Sequence, residues 1–427
     1  MAFPGALRSL RARNYRLFVA GQLISLIGTW MQTVAQSWLI YRLTGSAALL
    51  GLIGFAGQIP VFVLAPLGGV IADRLNRHRV LIATQSAMMV LALMLAASTL
   101  SGRVAVWQVF TLAALLGLAN AFDIPARQAF VAEMVEREDL VNAIALNSSM
   151  VNGARIVGPA IAGILVASVG EGWCFLLNGI SYVAVLVALL RMHVTPGVAR
   201  TSASSAWDSV VEGFAFAWQK TPIRALLLLL GLVSLMGMPY SVLMPIFADE
   251  ILHGGPDAYG LLMSASGVGA LSAAAILTVR KSVRGLGRWV AVSAAGFGAC
   301  LIAFAVSKAL WLSALLLIPA GFCMMMEMAA SNTLIQSMVP DRLRGRVMAV
   351  YSMMFMGMAP LGALMAGFLA TRMGAQATVA AGGAVCIAGG VIFGAGLPQL
   401  RGPARDLIVA QQMAAGSPPD EATRPTS

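Results

Sequence analysis

Charge is scarce in this chain: 28 Lys and Arg and 17 Asp and Glu among 427 residues, 11% in all, against 59% hydrophobic residues. A water-facing domain carries about 25% charged residues, so most of the chain belongs in lipid. Histidine is scarcer still. None of His78, His193 and His253 falls at the middle of an apolar stretch, which argues against a His-based proton relay or metal site within the membrane. Cys174, Cys300, Cys323 and Cys386 have no metal-like spacing and lie in or near apolar segments, so they read as buried free thiols. There is no G-x-x-x-x-G-K-[ST] loop, which argues against direct ATP use, and no H-E-x-x-H or G-x-S-x-G. That leaves a membrane-embedded, lipid-modifying enzyme without catalytic groups. No metal and no cofactor is expected.

What remains is an apolar chain with twelve stretches long enough to cross a bilayer. They fall near 16–41, 47–72, 80–101, 104–128, 141–169, 173–192, 223–249, 258–280, 288–307, 309–337, 346–371 and 375–398. With the N-terminus cytoplasmic, only Arg42, Arg103, Lys308 and Arg372 lie outside and Arg155 lies within a span; the other cations gather inside. The net charge of +11 then anchors the protein to an anionic inner leaflet. No separate basic domain exists to hold nucleic acid. Arg8, Arg11, Arg13 and Arg16 precede an apolar run containing Gln22, Gln32 and Gln36, which reads as a first span rather than a cleaved signal.

The two halves repeat each other. Residues 134–165 and 338–369 match without a gap at ten positions, among them Gly153/Gly357, Gly158/Gly362, Ala162/Ala366 and Gly163/Gly367. This points to a duplicated six-helix unit. Six crossings return the chain to the same side, so the copies are parallel and would enclose a path for a solute. The expected class is all-α integral membrane, with twelve transmembrane helices in two six-helix pseudo-repeats. The expected parts are an N-terminal half at 1–192, a cytoplasmic linker at 193–222, a C-terminal half at 223–398 and a disordered cytoplasmic tail at 399–427. In the linker, Trp207, Val211, Phe214 and Trp218 recur at helical spacing, as in a short amphipathic helix on the inner membrane surface.

Between the second and third spans stands Gly69-Val70-Ile71-Ala72-Asp73-Arg74-Leu75-Asn76-Arg77-His78-Arg79. Gly69 permits close helix contact, Asp73 can accept hydrogen bonds at a helix N-terminus, and Arg74 and Arg77 can pair with cytoplasmic acids. The segment resembles the loop signature of the major facilitator superfamily, G-x-x-x-D-R-x-G-R-R, with Asn76 in place of its second glycine. Asn tolerates a left-handed turn, so that backbone role is expected to survive. The resemblance implies that Asp73 meets the start of the eleventh span near Arg344-Gly345-Arg346 and latches the halves on the cytoplasmic side. The equivalent second-half loop, Arg280-Lys281-Ser282-Val283-Arg284, lacks the acid.

In the fifth span, Gly158-Pro159-Ala160-Ile161-Ala162-Gly163 is similar to the antiporter motif G-P-x-x-G-G of drug-efflux branches of that superfamily, with Ala162 replacing one glycine. Pro159 frees a backbone carbonyl, and its small neighbours allow tight packing. Arg13-Asn14-Tyr15-Arg16-Leu17-Phe18 and Asp123-Ile124-Pro125-Ala126-Arg127-Gln128 resemble the branch containing the enterobactin exporter. That branch implies efflux without fixing a substrate; with the charge distribution and the even number of spans, the expected location is a bacterial inner membrane with both termini cytoplasmic.

Candidate substrate-cavity residues are few. Gln22, Ser25, Thr29, Gln32 and Gln36 follow steps of three and four along the first span, giving one polar face that either lines a cavity or bonds to another helix. Arg155 lies midway along the fifth span with Ser148 and Asn152 on its face. It should meet an acid or an aqueous cavity, either to recognise an anion or to form a structural ion pair. The repeat offset of 204 places Glu327 on Asp123, and both are candidates for proton coupling. Asp123 has Arg74, Arg77 and Arg127 as alternative partners, whereas Glu327 is flanked by Met324, Met325, Met326 and Met328. The 25 methionines suit either a cavity for apolar ligands or ordinary packing.

Together these features describe a monomeric secondary transporter working by alternating access, with protons, the bilayer and a small amphiphilic molecule, drug-like or siderophore-like, as its partners. The alternative within transport is a proton-coupled importer or facilitator of a small metabolite.

Overall fold

A computed structural model describes residues 5–136, 138–192, 206–280 and 283–414; side chains at 6, 7, 65, 66, 69, 70, 72, 73, 206–210, 279 and 414 lie outside that description. Among the described residues there are helices and no strands, and twelve helical segments are long and apolar enough to cross a membrane. With no water in the hydrocarbon layer, a spanning segment must satisfy its own N–H and C=O groups, and a helix does so.

The first six crossings are α1 (Arg13–Thr44), α2 (Ala47–Arg74), α3 (Arg77–Leu100), α4 (Val106–Met134), α5 (Leu140–Val169) and α6 (Glu171–Leu190). Local chemistry sets their ends. Gly45, at φ 58°, closes α1 in the left-handed conformation that glycine accepts without penalty, and Ser46 then caps α2 by accepting from the Leu49 N–H at 3.4 Å. Gly170, at φ 91°, makes the sharp turn between α5 and α6. Small residues set the packing, as expected where lipid offers no hydrophobic drive between helices. Gly21 and Gly28 let α1 close on Ala184 and Asn178 of α6, and Gly68 brings α2 against Ala121 and Pro125 of α4. Trp107, Trp173 and Trp311 open α4, α6 and α12 (Leu310–Met338) with exposed rings, in the manner of an interfacial aromatic belt.

After the linker helix α7 (Ala206–Gln219) the seventh crossing, expected at 223–249, runs over Thr221–Ile251 as a broken helix. It is α8 (Thr221–Leu232), a π turn at Val233–Gly237, a 3-10 turn at Met238–Ser241, the short α9 (Met244–Ile246) and a second π turn at Phe247–Ile251. Pro239 and Pro245 lack the N–H an unbroken α-helix would use, and the wider turns absorb the gap. Then follow α10 (Gly255–Val279), α11 (Leu286–Val306), α12, α13 (Asp341–Met356), α14 (Met358–Met373) and α15 (Ala375–Ala414). The eleventh crossing is interrupted at Gly357, between α13 and α14. Disorder from 399 is overturned as far as Ala414: α15 runs through Pro398 and Pro403, and the good helix formers at 404–414 carry it on. The rest of the expected tail lies outside the described residues.

The chain divides into two compact units, one of residues 1–203 and 242–267, the other of 204–241 and 268–427. Residues 242–267 therefore group with the first six helices rather than with the C-terminal half. Within that first unit the Tyr41 hydroxyl donates to Asp249 (2.8 Å) and Glu250 (3.1 Å), and Trp38 stacks on Tyr259 with centroids 6.3 Å apart. Its buried core includes Tyr15, Phe18, Leu81 and Phe130. In the second unit Gly298 of α11 and Gly383 of α15 approach each other backbone to backbone, and Gly269 of α10 meets Ile318 of α12.

Candidate functional site

The two carboxyls related by the repeat are both 1% exposed, yet their surroundings differ. On α4, Asp123 Oδ1 accepts from Thr84 Oγ1 (2.9 Å) and Gln85 Nε2 (2.8 Å), both on α3. Its Oδ2 lies 3.3 Å from Arg127 Nε, one turn along, at ion-pair distance without hydrogen-bond alignment. This is the structural pairing that the neighbouring arginines allowed. On α12, Glu327 Oε1 accepts from Ser331 Oγ at 3.4 Å, and among the described residues no cation pairs with it. Met324, Met325 and Met326 are buried beside it, and the Tyr351 hydroxyl donates to the Met328 carbonyl at 2.8 Å. The offset that places Glu327 on Asp123 places Ser331 on Arg127.

The polar face of α1 is mostly covered. Gln22, Ser25 and Gln32 are buried, and Thr29 and Gln36 half-buried. Gln32 Oε1 accepts from Asn178 Nδ2 of α6 at 2.7 Å, while Thr29 Oγ1 donates to the Ser25 carbonyl at 2.9 Å. For Gln32 the structure shows the second of the two expected readings, a bond to another helix. Gly21 and Gly28 draw α6 close to α1 on this side. Gln22 Oε1 is buried without a hydrogen-bond partner.

On α5, Asn152 is buried and donates to the Ser148 carbonyl at 2.9 Å. Arg155, expected to meet an acid or open water, lies over the Trp30 ring of α1, 5.6 Å from its centroid. An aromatic face offers a cation favourable electrostatics with little water. The motif residues hold two helices at once. A β-carbon on Gly158 would stand 2.6 Å from Trp30 Cβ, and one on Gly163 would stand 3.1 Å from Gly260 Cα of α10. A β-carbon on Gly260 would stand 2.5 Å from the Pro159 carbonyl. Ser264 Oγ donates at 2.8 Å to the Ile156 carbonyl, in the turn that Pro159 loosens. Within the second unit, Gly362 packs in the same way on Leu235 and Pro239.

At the loop, Asn76 is extended (φ −64°, ψ 108°) rather than left-handed, which corrects the expectation for it: its side chain caps α3 by accepting from the Arg79 N–H at 3.2 Å. Arg77 pairs with Glu133 at the end of α4, and Arg74 is exposed. The side chains of Gly69 and Asp73 lie outside the described residues, and with them the expected latch. In the second unit, Arg344 pairs with Asp341 at 2.5 Å and Arg346 with Glu212 of α7. Sequence reasoning missed a fastening in the first unit: Arg8 pairs with Asp139 and Glu138, and Ser9 donates through N (3.0 Å) and Oγ (2.7 Å) to Asn142 Oδ1. The available signal was the acidic run Glu133, Glu136, Glu138, Asp139, opposite so many arginines. Arg42 and Glu171 form a two-point pair at 2.7 and 3.2 Å, also unforeseen.

Comparison with known proteins fits this architecture. The chain is 24% identical to the staphyloferrin A transporter of Staphylococcus aureus, covering 82% of this chain and 88% of that protein. It is 28% identical to the multidrug efflux pump Tap of Mycolicibacterium fortuitum, over the same shares of each. A POT family transporter in complex with 5-aminolevulinic acid superposes with a TM-score of 0.75 at 12% identity, over 91% of this chain and 97% of that one, and so shares the fold. The chain is thus a multi-pass integral membrane transporter of small molecules and not an enzyme. Residues 4–416 match the family described as transmembrane secretion effector, and the chain belongs to that family of the major facilitator superfamily.

Proposed function

We propose that this protein is a proton-driven exporter of small amphiphilic molecules working by alternating access. The observation that carries the reading is Glu327, a carboxyl buried among methionines, with a serine as its hydrogen-bond partner and no cation paired with it among the described residues. An ionised carboxylate in such a place is costly, whereas a protonated one is tolerated. A site that is dry in one state and wet in the other would therefore take up a proton and release it in step with the cycle. The efflux activities named for two relatives, the Tap pump and macrolide efflux protein A of Streptococcus pyogenes, the latter 27% identical over 56% of this chain and 59% of that protein, support export. Met324, Met325 and Met326 offer adaptable apolar surface to an amphiphile. Half-buried Gln36 and Arg155 offer polar groups. Asp123, already held by Arg127, serves structure in this reading. The protein acts as a monomer in a bacterial inner membrane, with both termini cytoplasmic and α7 lying on the inner surface.

The test is accumulation of a chemically diverse compound panel in cells expressing the wild type or Glu327→Gln, with and without a protonophore. Reduced accumulation, lost in both the variant and the uncoupled cells, is the expected result. Raised accumulation would reverse the direction, and efflux indifferent to the protonophore would remove the coupling.

A further inference from the structure

In the second unit, the start of α8, the turn before α11 and the ends of α12 and α15 enclose a cavity of about 580 Å³. Its wall has two chemistries. Leu226, Phe393 and Leu397 form an apolar floor, while Arg284, Arg288, Arg401 and Arg405 stand around it with exposed side chains. The arginines come from two segments more than a hundred residues apart, so the fold gathers them. Arg280 steadies the turn, stacking on Trp289 at 5.9 Å and donating to the Arg284 carbonyl. Among the described residues no carboxylate pairs with Arg288, Arg401 or Arg405; Asp406 follows Arg405 but does not line the cavity. Gly285 and Gly287 at the start of α11 line it too, which adds the positive end of a helix.

Arg288, Arg401 and Arg405 repel one another unless an anion lies between them. The apolar floor requires that the anion carry hydrocarbon, which a free phosphate does not. Pockets of roughly 300–1,000 Å³ hold small-molecule ligands, so the cavity accommodates a headgroup, a glycerol and the first part of an acyl chain, with the rest left in the bilayer. We propose that this cavity binds one anionic diacyl phospholipid of the membrane, its phosphate on the arginines and its upper chain along Leu226, Phe393 and Leu397. The lipid would then fasten the last turns of α15 to the start of α11. This site is independent of what the protein transports.

The experiment is native mass spectrometry of the purified, delipidated full chain, with thermal unfolding alongside, titrated with phosphatidylglycerol or phosphatidylcholine. One phosphatidylglycerol per chain is expected, with a raised melting temperature. In the triple variant R288Q/R401Q/R405Q the affinity should fall on the order of a hundredfold, given the weight of each basic residue at an anionic surface. Removing three cations elsewhere, in R16Q/R79Q/R191Q, should leave it unchanged. Equal loss in both triple variants, equal binding of phosphatidylcholine, or displacement by millimolar inorganic phosphate or glycerol 3-phosphate would overturn the proposal. Should the arginine variant fail to fold, Ala404→Trp fills the cavity without removing charge. It should abolish retention, and retained lipid would count against the site.

Discussion

Asp123 and Glu327 occupy equivalent places in the two repeats, are equally buried, and live in opposite electrostatic settings. Thr84, Gln85 and Arg127 surround the first; among the described residues Ser331 alone bonds to the second. A duplicated unit starts with one design, and the exchange of Arg127 for Ser331 at the equivalent position leaves Asp123 beside a cation and Glu327 beside a hydroxyl. Burial alone therefore does not mark a coupling residue; in the proposed reading the partner one helical turn away does.

The largest contrast should be in transport: Glu327→Gln eliminates the response of efflux to a proton gradient, whereas Asp123→Asn, which keeps an acceptor oxygen for Thr84 and Gln85, retains it. Flux assays in vesicles with an imposed pH step decide this, and equal loss would break the comparison. Stability should show the reverse order. Asp123→Leu strands Arg127 and two donors at a cost of about 2–4 kcal/mol, whereas Glu327→Leu stays within about 1 kcal/mol of wild type or gains. Unfolding midpoints in detergent measure both. The repeats should behave alike where their packing is alike: Gly158→Ala and Gly362→Ala each overpack a helix contact and each cost about 1–3 kcal/mol by the same assay. Unequal costs would extend the asymmetry beyond the carboxyls. The smallest effect belongs to Asn76. As a cap, its replacement by Gly costs only a few tenths of a kcal/mol and its replacement by Ala about 1 kcal/mol; a gain in stability for Asn76→Gly, read in the same unfolding series, would restore the left-handed turn.

The spans and the repeat were legible because lipid demands length and apolarity of every crossing, and because small residues at 158/362 and 163/367 survived in both copies. Arg127 was legible as one of three partners for Asp123, since an i,i+4 spacing places the two side chains together. The polar face of α1 was legible as a face only. A row of Gln, Ser and Thr looks the same whether water or a neighbouring helix satisfies it, and Asn178, which settles the matter for Gln32, lies 146 residues away. Asn76 misled because the resemblance supplied a backbone role, while the residue's own chemistry, an acceptor three bonds from Cα, supplied another. The grouping of 242–267 with the first unit was hidden for a similar reason: it rests on Tyr41, Trp38 and Gly163 meeting residues far along the chain.

The fastening of Arg8 to Asp139 spans 131 residues. At ~5–20 residues per second, the ribosome delivers the far partner roughly 7 to 26 seconds after the near one. In the proposed orientation, Arg8 and the arginines beside it are available throughout that interval to hold their side of the nascent first helix by charge alone. Only when α5 begins does Arg8 give up the role of an address and take on that of a rivet. The same side chain thus serves two stages of the protein's making, and the order of synthesis keeps them from competing.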